Sequence, residues 1–311
     1  MKPKRKWLKR LIITLICVVL ILAAGLTVGA NYLVNVGVAR GSLNDPDNTV
    51  WPADVTAFIK SNPFTEEYIT SNDGISLYGR VYMNPETTGN WVLFVHGHGS
   101  SSAKTVDIAA KLVEMGYNVL APDMRAHGKS GGSYSGMGWL ERKDILQWID
   151  TITAKNKDAK IVLYGISMGA ATVMMTSGEK LPENVLCAVE DCGYTTVYDE
   201  FLWQMKQQYS YLPKFPLFDM ASIICGIKAG YTFSDASSVK QLADCKIPML
   251  FIHGDADTYV PFSMLQKVYD ADNNQDKQKL VIHGAGHDKS RKTDPDTYWG
   301  TIGNFIEKYI A

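Results

Sequence analysis

At 311 residues, 46% hydrophobic and 20% charged, the chain has the size and composition of one large globular domain with an appendage. The formal net charge of −1 hides an asymmetry: seven of the 31 basic residues (Lys2, Lys4, Arg5, Lys6, Lys9, Arg10 and Arg40) precede the first acid, Asp45, and the remainder carries 24 bases against 32 acids. A net of −8 over that remainder excludes the basic footprint nucleic acid needs, so no nucleic-acid partner is expected. The five cysteines form no CxxC pair and no zinc spacing. They read as free thiols, with one or two disulfides left open if the domain faces an oxidising space.

In chain order, residues 1–10 form a basic tail and residues 11–36 a transmembrane anchor. No charge occurs from Leu11 to Val38, and Leu11–Ala30 alone spans about 30 Å as a helix. The six positive charges ahead of it predict a cytoplasmic N-terminus and a catalytic part beyond the cell membrane. A cleaved signal peptide is the competing reading, since Val28-Gly29-Ala30 offers small residues for a peptidase; the length of the apolar run favours a retained anchor. Gly25 and Gly29 stand at a spacing that packs helices together, or is incidental. Residues 37–60 read as a linker, with Asn, Asp, Gly and Pro concentrated over 41–55.

From residue 61 to 311 one α/β domain is expected. A hairpin (67–70 and 75–83) turns at Asn72-Asp73-Gly74. Apolar strands at 91–97, 117–123, 161–167, 185–193, 248–257 and 279–287 then alternate with helices at 101–115, 139–154, 168–181, 261–271 and 297–311. Strands apolar throughout, separated by helices, predict a mostly parallel sheet covered on both faces, with chemistry at the strands' carboxyl ends. The rhythm breaks at about 194–247, a helical insert crowded with Phe201, Leu202, Trp203, Met205, Tyr209, Tyr211, Leu212, Phe215, Phe218 and Met220. It reads as a cap whose apolar side chains either line a site for an acyl or aryl group or form the cap's own core.

Gly165-Ile166-Ser167-Met168-Gly169 is a G-x-S-x-G between an apolar strand and a helix rich in small residues. Such a turn strains the serine, presents its Oγ above the sheet and tolerates only small neighbours two positions away. A serine hydroxyl needs a base. His287 is the best placed of six histidines, after the last strand in the turn Gly284-Ala285-Gly286. His96, His253 and His283 read as structural. His98 lies in His96-Gly97-His98-Gly99, a loop whose backbone N–H, with that of Met168, suits an oxyanion hole. The orienting acid is Asp257, with Asp255 and Asp191 as rivals. Ser167, Asp257 and His287 follow one another in the nucleophile–acid–base order of the strand–elbow–helix hydrolases.

These segments, HGHGSS (96–101), PDMRAHGKSGG (122–132), GISMGA (165–170), HGDADTYVP (253–261) and GAGH (284–287), resemble the α/β-hydrolase superfamily over roughly residues 65–311. Within it they are similar to the serine aminopeptidase-like and BEM46-like hydrolases. The resemblance implies the α/β-hydrolase fold with a small helical cap. It selects Asp257, through Gly254, Asp257, Val260 and Pro261, as the acid beside nucleophile Ser167 and base His287. It gives His98 and Met168 as oxyanion donors and Asp123, Arg125, His127 and Gly128 as a supporting loop. The expected function is a membrane-anchored serine hydrolase of carboxylesterase type, acting on a small-molecule or lipid-like ester with no cofactor and no metal. An aminopeptidase or an acyltransferase would use the same machinery. A tethered binding protein on a hydrolase scaffold is the alternative of another class.

Overall fold

The computed structural model describes residues 4–43, 49–86 and 88–310. The start of the expected basic tail, residues 1–3, and residues 44–48 of the expected linker lie outside them. Eight strands form one sheet: β1 Thr65–Thr70, β2 Ser76–Tyr82, β3 Asn90–Val95, β4 Asn118–Pro122, β5 Lys160–Ile166, β6 Val185–Asp191, β7 Met249–Gly254 and β8 Lys277–Ile282. Their order is β1-β2-β4-β3-β5-β6-β7-β8. β2 is antiparallel to both β1 and β4, and every other pair is parallel. The sheet is therefore the mostly parallel one of the α/β-hydrolase fold.

The central strands are buried along their whole length because helices cover both faces. β3 and β5 bury every residue after the first. On one face, Glu141–Lys155 packs through Ile145, Trp148, Ile149 and Ile152, at helical spacing. Beside it Met168–Ser177 is buried at every position. On the other face, Pro295–Ile310 packs through Tyr298, Ile302, Phe305, Ile306 and Ile310, next to Val106–Glu114. Between β6 and β7 the chain leaves the sheet as a cap containing the helices Val197–Gln208, Asp219–Ala229 and Ser238–Leu242.

Two segments differ from the sequence expectation. The N-terminal helix runs without interruption from Lys4 to Val38, and its last turns are built into the globular part. Ala30, Val34 and Val38, four residues apart on one face, are fully buried against the cap. Gly29 lies where an added Cβ would come within 3.2 Å of Leu217, whereas one on Gly25 would meet nothing; the Gly25/Gly29 pair does not pack as a unit. Past the helix, Arg40 donates its backbone N–H to Ser133 O (2.9 Å) and its guanidinium to the carbonyls of Gly128 and Ser130. The expected linker thus begins with docked chain. It also contains the helix Ala53–Ser61, which buries Val55 and sets Phe58 against Tyr82 at 5.7 Å between ring centres.

One helix among the described residues, Lys6–Val38, is long and apolar enough to cross a membrane, with a mean hydropathy of 3.0 in its most apolar stretch. All four described cysteines beyond Cys17 are buried free thiols.

Candidate active site

Ser167 sits at the end of β5 with φ 58° and ψ −118°, a strained conformation for any residue with a side chain. Its neighbours explain the glycine spacing. A Cβ on Gly165 would stand 2.2 Å from Gly169 O, and one on Gly169 would stand 2.0 Å from Val95 O. The turn therefore closes only with glycine on both sides, and the serine hydroxyl is pushed above the sheet at the start of the helix Met168–Ser177.

Two loops bring partners to it. His287, in the turn after β8, has Nε2 2.8 Å from Ser167 Oγ and donates from Nδ1 to Asp257 Oδ2 at 2.8 Å. Asp257, in the turn after β7, accepts on Oδ1 from the backbone N–H groups of Tyr259 (2.9 Å) and Val260 (3.0 Å). Its Oδ2 also lies 3.1 Å from Nε2 of His253, a ring atom that reaches the Val260 carbonyl as well. The Tyr259 ring leans over the imidazole of His287, with centroids 4.9 Å apart.

The electrostatics follow from these contacts. Burial alone would raise the Asp257 carboxyl, but the hydrogen bonds from His253 and His287 and the charge of His287 outweigh it, and the group falls to about 2. Burial pulls His287 down, yet the hydrogen bond and charge of Asp257 win, leaving the imidazole above its ordinary 6.5. The rivals stand elsewhere. Asp255 faces His283 at 2.7 Å on the surface. Asp191 is buried beneath the site, bound by Tyr298 (2.8 Å) and Ser290, and burial pushes its carboxyl up to about 6.

The His96–Gly99 loop abuts the serine: a Cβ on Gly97 would lie 3.3 Å from Ser167 Cβ. His98, Ser167 and Met168 share the wall of one cavity. The His98 ring donates from Nε2 to Gly37 O of the N-terminal helix at 2.9 Å. Burial lowers its basicity despite that bond. His96 is held by Gly97 O and the Met124 N–H. The supporting loop is tied down by Asp123, which accepts from the N–H groups of Ser102 (2.7 Å) and Lys129 (2.8 Å), and by Arg125, paired with Asp144 (2.6 Å) and Asp73 (2.8 Å).

Of the cap side chains, Phe201, Met205, Tyr209 and Phe218 face the cavity, whereas Tyr211 and Phe215 are exposed. Phe201 and Phe218 also each pack against Phe233, so the same rings serve as cap core. Two residues carried no distinguishing signal in the sequence. His253 is a second ring donor to the acid. Glu200 is a buried cavity-wall carboxyl: Oε1 accepts from Gln204 (2.8 Å), Oε2 has no side-chain or backbone partner, and burial raises the group to about 7.

A family model described as serine aminopeptidase, S33, matches residues 87–189, and one described as serine hydrolase (FSH1) matches residues 139–289. The uncharacterized protein YqkD of Bacillus subtilis (strain 168) is 25% identical over 227 residues, which cover 73% of this chain and 74% of its own length. The lysophosphatidylserine lipase ABHD12 of Xenopus tropicalis is 26% identical over 186 residues, which cover 57% of this chain and 45% of the relative. Among solved structures, the esterase Pf2001 of Pyrococcus furiosus superposes with a TM-score of 0.68 at 24% identity, over 86% of this chain and 98% of its own. By its fold and these likenesses, the chain belongs to the α/β-hydrolase superfamily and is a serine hydrolase.

Proposed function

We propose that the chain is a membrane-anchored carboxylic ester hydrolase that works through an acyl-enzyme on Ser167. The observation that carries this reading is the unbroken chain from Ser167 Oγ through His287 to Asp257, with two contacts of 2.8 Å. Ser167 Oγ bonds to the ester carbonyl carbon while its proton passes to His287 Nε2. The negative oxygen is held by the backbone N–H groups of His98 and Met168. Collapse breaks the C–O bond to the alcohol, which takes the proton from His287. Water then attacks the acyl-enzyme, gives a proton to His287, and releases the acid as that proton returns to Ser167. The exposed apolar run of the N-terminal helix, from Leu11 onward, serves as the anchor, with its basic end cytoplasmic and the hydrolase domain outside.

The pH profile tests the base. His287 must be neutral to accept the proton, and its basicity is raised, so kcat/KM for a p-nitrophenyl ester falls as pH drops through a midpoint above 6.5. Asp257 stays ionised throughout that range. The negative charge of Glu200 adds to the basicity of His287, so Glu200→Gln moves the midpoint down. A flat acid limb down to pH about 5 in a folded enzyme would speak against His287 as the base.

A second reading, an aminopeptidase, is favoured by Glu200: an unpaired carboxyl oxygen in the wall of the cavity that Ser167 also lines suits a substrate ammonium group. Under the ester reading, Glu200→Gln changes kcat/KM for an α-amino ester and its des-amino counterpart by the same factor. A selective loss of about tenfold or more for the amino ester would put the aminopeptidase first.

A further inference from the structure

We propose that the last turns of the N-terminal helix form one wall of the acyl-binding pocket, which takes the chain of a single-chain amphiphilic ester at the membrane surface. The inference rests on the ester-hydrolase reading above and names its substrate class. The cavity over Ser167 has a volume of about 140 Å³, and two elements remote in sequence contribute to its wall beside the loops around Ser167. The cap supplies Phe201, Met205 and Tyr209; the helix supplies Leu33, Val36 and Gly37. An apolar cavity of about this size holds a benzene-sized group, hence the first carbons of one alkyl chain, the rest of which leaves between the helix and the cap.

The helix approaches closely enough to shape the site. At Gly37 a Cβ would lie 3.2 Å from the Phe201 ring, and Gly37 O accepts from His98, whose N–H is the proposed oxyanion donor. The helix also fixes the distance to the bilayer. If Leu11–Ala30 fills the hydrocarbon, Leu33 stands about 4.5 Å and Gly37 about 10 Å beyond its edge. The wall that the helix lends the cavity therefore stands at headgroup depth. The cap fits that position: its helix Asp219–Ala229 runs along the N-terminal helix and exposes Ile223 (61%) and Ile227 (80%), with Phe215 (77%) just before it. Soluble surfaces rarely gather such side chains beside an apolar helix. An ester whose chain enters between Leu33–Gly37 and the cap keeps its polar end in water and brings its carbonyl to Ser167.

The test uses the full chain in mixed micelles, with p-nitrophenyl acetate and laurate as substrates and fluorophosphonate labelling as a separate readout of the nucleophile. Val36→Trp fills the wall, Leu33→Ala widens it, and Val28→Trp, 70% exposed on the same helix, is the control. The parent is expected to prefer laurate. Val36→Trp lowers the laurate-to-acetate ratio of kcat/KM by about tenfold or more, Leu33→Ala shifts the ratio the other way, and Val28→Trp leaves it alone. Should Val36→Trp fail to fold, Leu33→Ala still decides. Labelled proteins whose ratios all match the parent, or a labelled parent that prefers acetate, overturn this proposal and leave the ester-hydrolase reading standing. A folded parent that does not label overturns that reading, and the proposal with it.

Discussion

Ser167→Ala is expected to abolish ester hydrolysis, lowering kcat by roughly 10⁶-fold in line with removal of the nucleophile from other serine hydrolases. His287→Ala should cost about as much, and the double variant no more than either alone, because the two act as one unit. The reason lies in the geometry. A hydroxyl at ordinary acidity is a weak nucleophile, and the imidazole 2.8 Å away is placed to take its proton as the bond forms. Steady-state kinetics on the purified full chain check this. Losses that multiply in the double variant would mean that serine and histidine act independently, contrary to the mechanism. Neither change should unfold the protein: each shortens a side chain that is not part of the apolar core, and Ser167→Ala keeps its Cβ.

Asp257→Asn is the second large effect, expected at about 10⁴-fold in kcat. Four donors converge on this carboxylate: the N–H groups of Tyr259 and Val260 on Oδ1, and the rings of His253 and His287 on Oδ2. The two backbone donors fix the amide oxygen of an asparagine at the Oδ1 position. Its NH₂ then points at two imidazole nitrogens that both donate in the parent. His287 must move its proton from Nδ1 to Nε2 to accept from the amide, and it can no longer take the proton of Ser167. The variant should fold, label slowly with fluorophosphonate, and lose the acid-limb titration of the parent. Retention of more than about a tenth of the activity would assign the orienting role to another group.

The sheet was legible because its strands carry apolar residues on both faces, as β3 and β5 do, and only a sheet covered by helices buries such strands. The turn at Ser167 was legible because it is a local device: Gly165 and Gly169 are dictated by backbone contacts 2.2 and 2.0 Å from where a Cβ would sit. Asp257 and His287 each lie in the turn that follows a strand, so their order along the chain already brings them to the same end of the sheet. What escaped depends on contacts distant in sequence. His253 reads as a strand-end histidine until the turn after β7 folds its acid back onto it. Glu200 is one of several acids in the cap, and only its burial against the cavity, with one oxygen unpaired, separates it from Asp199 or Asp219. Residues 30–40 look like the end of an anchor and the start of a linker. Their apolar positions pack on the cap, and Arg40 finds its carbonyl partners some 90 residues away.

The most direct test of the account is fluorophosphonate labelling of the full-length chain, followed by mapping of the modified peptide. One adduct is expected, on Ser167, absent from Ser167→Ala and His287→Ala. A folded parent that remains unmodified, or that is modified at another residue, would contradict it.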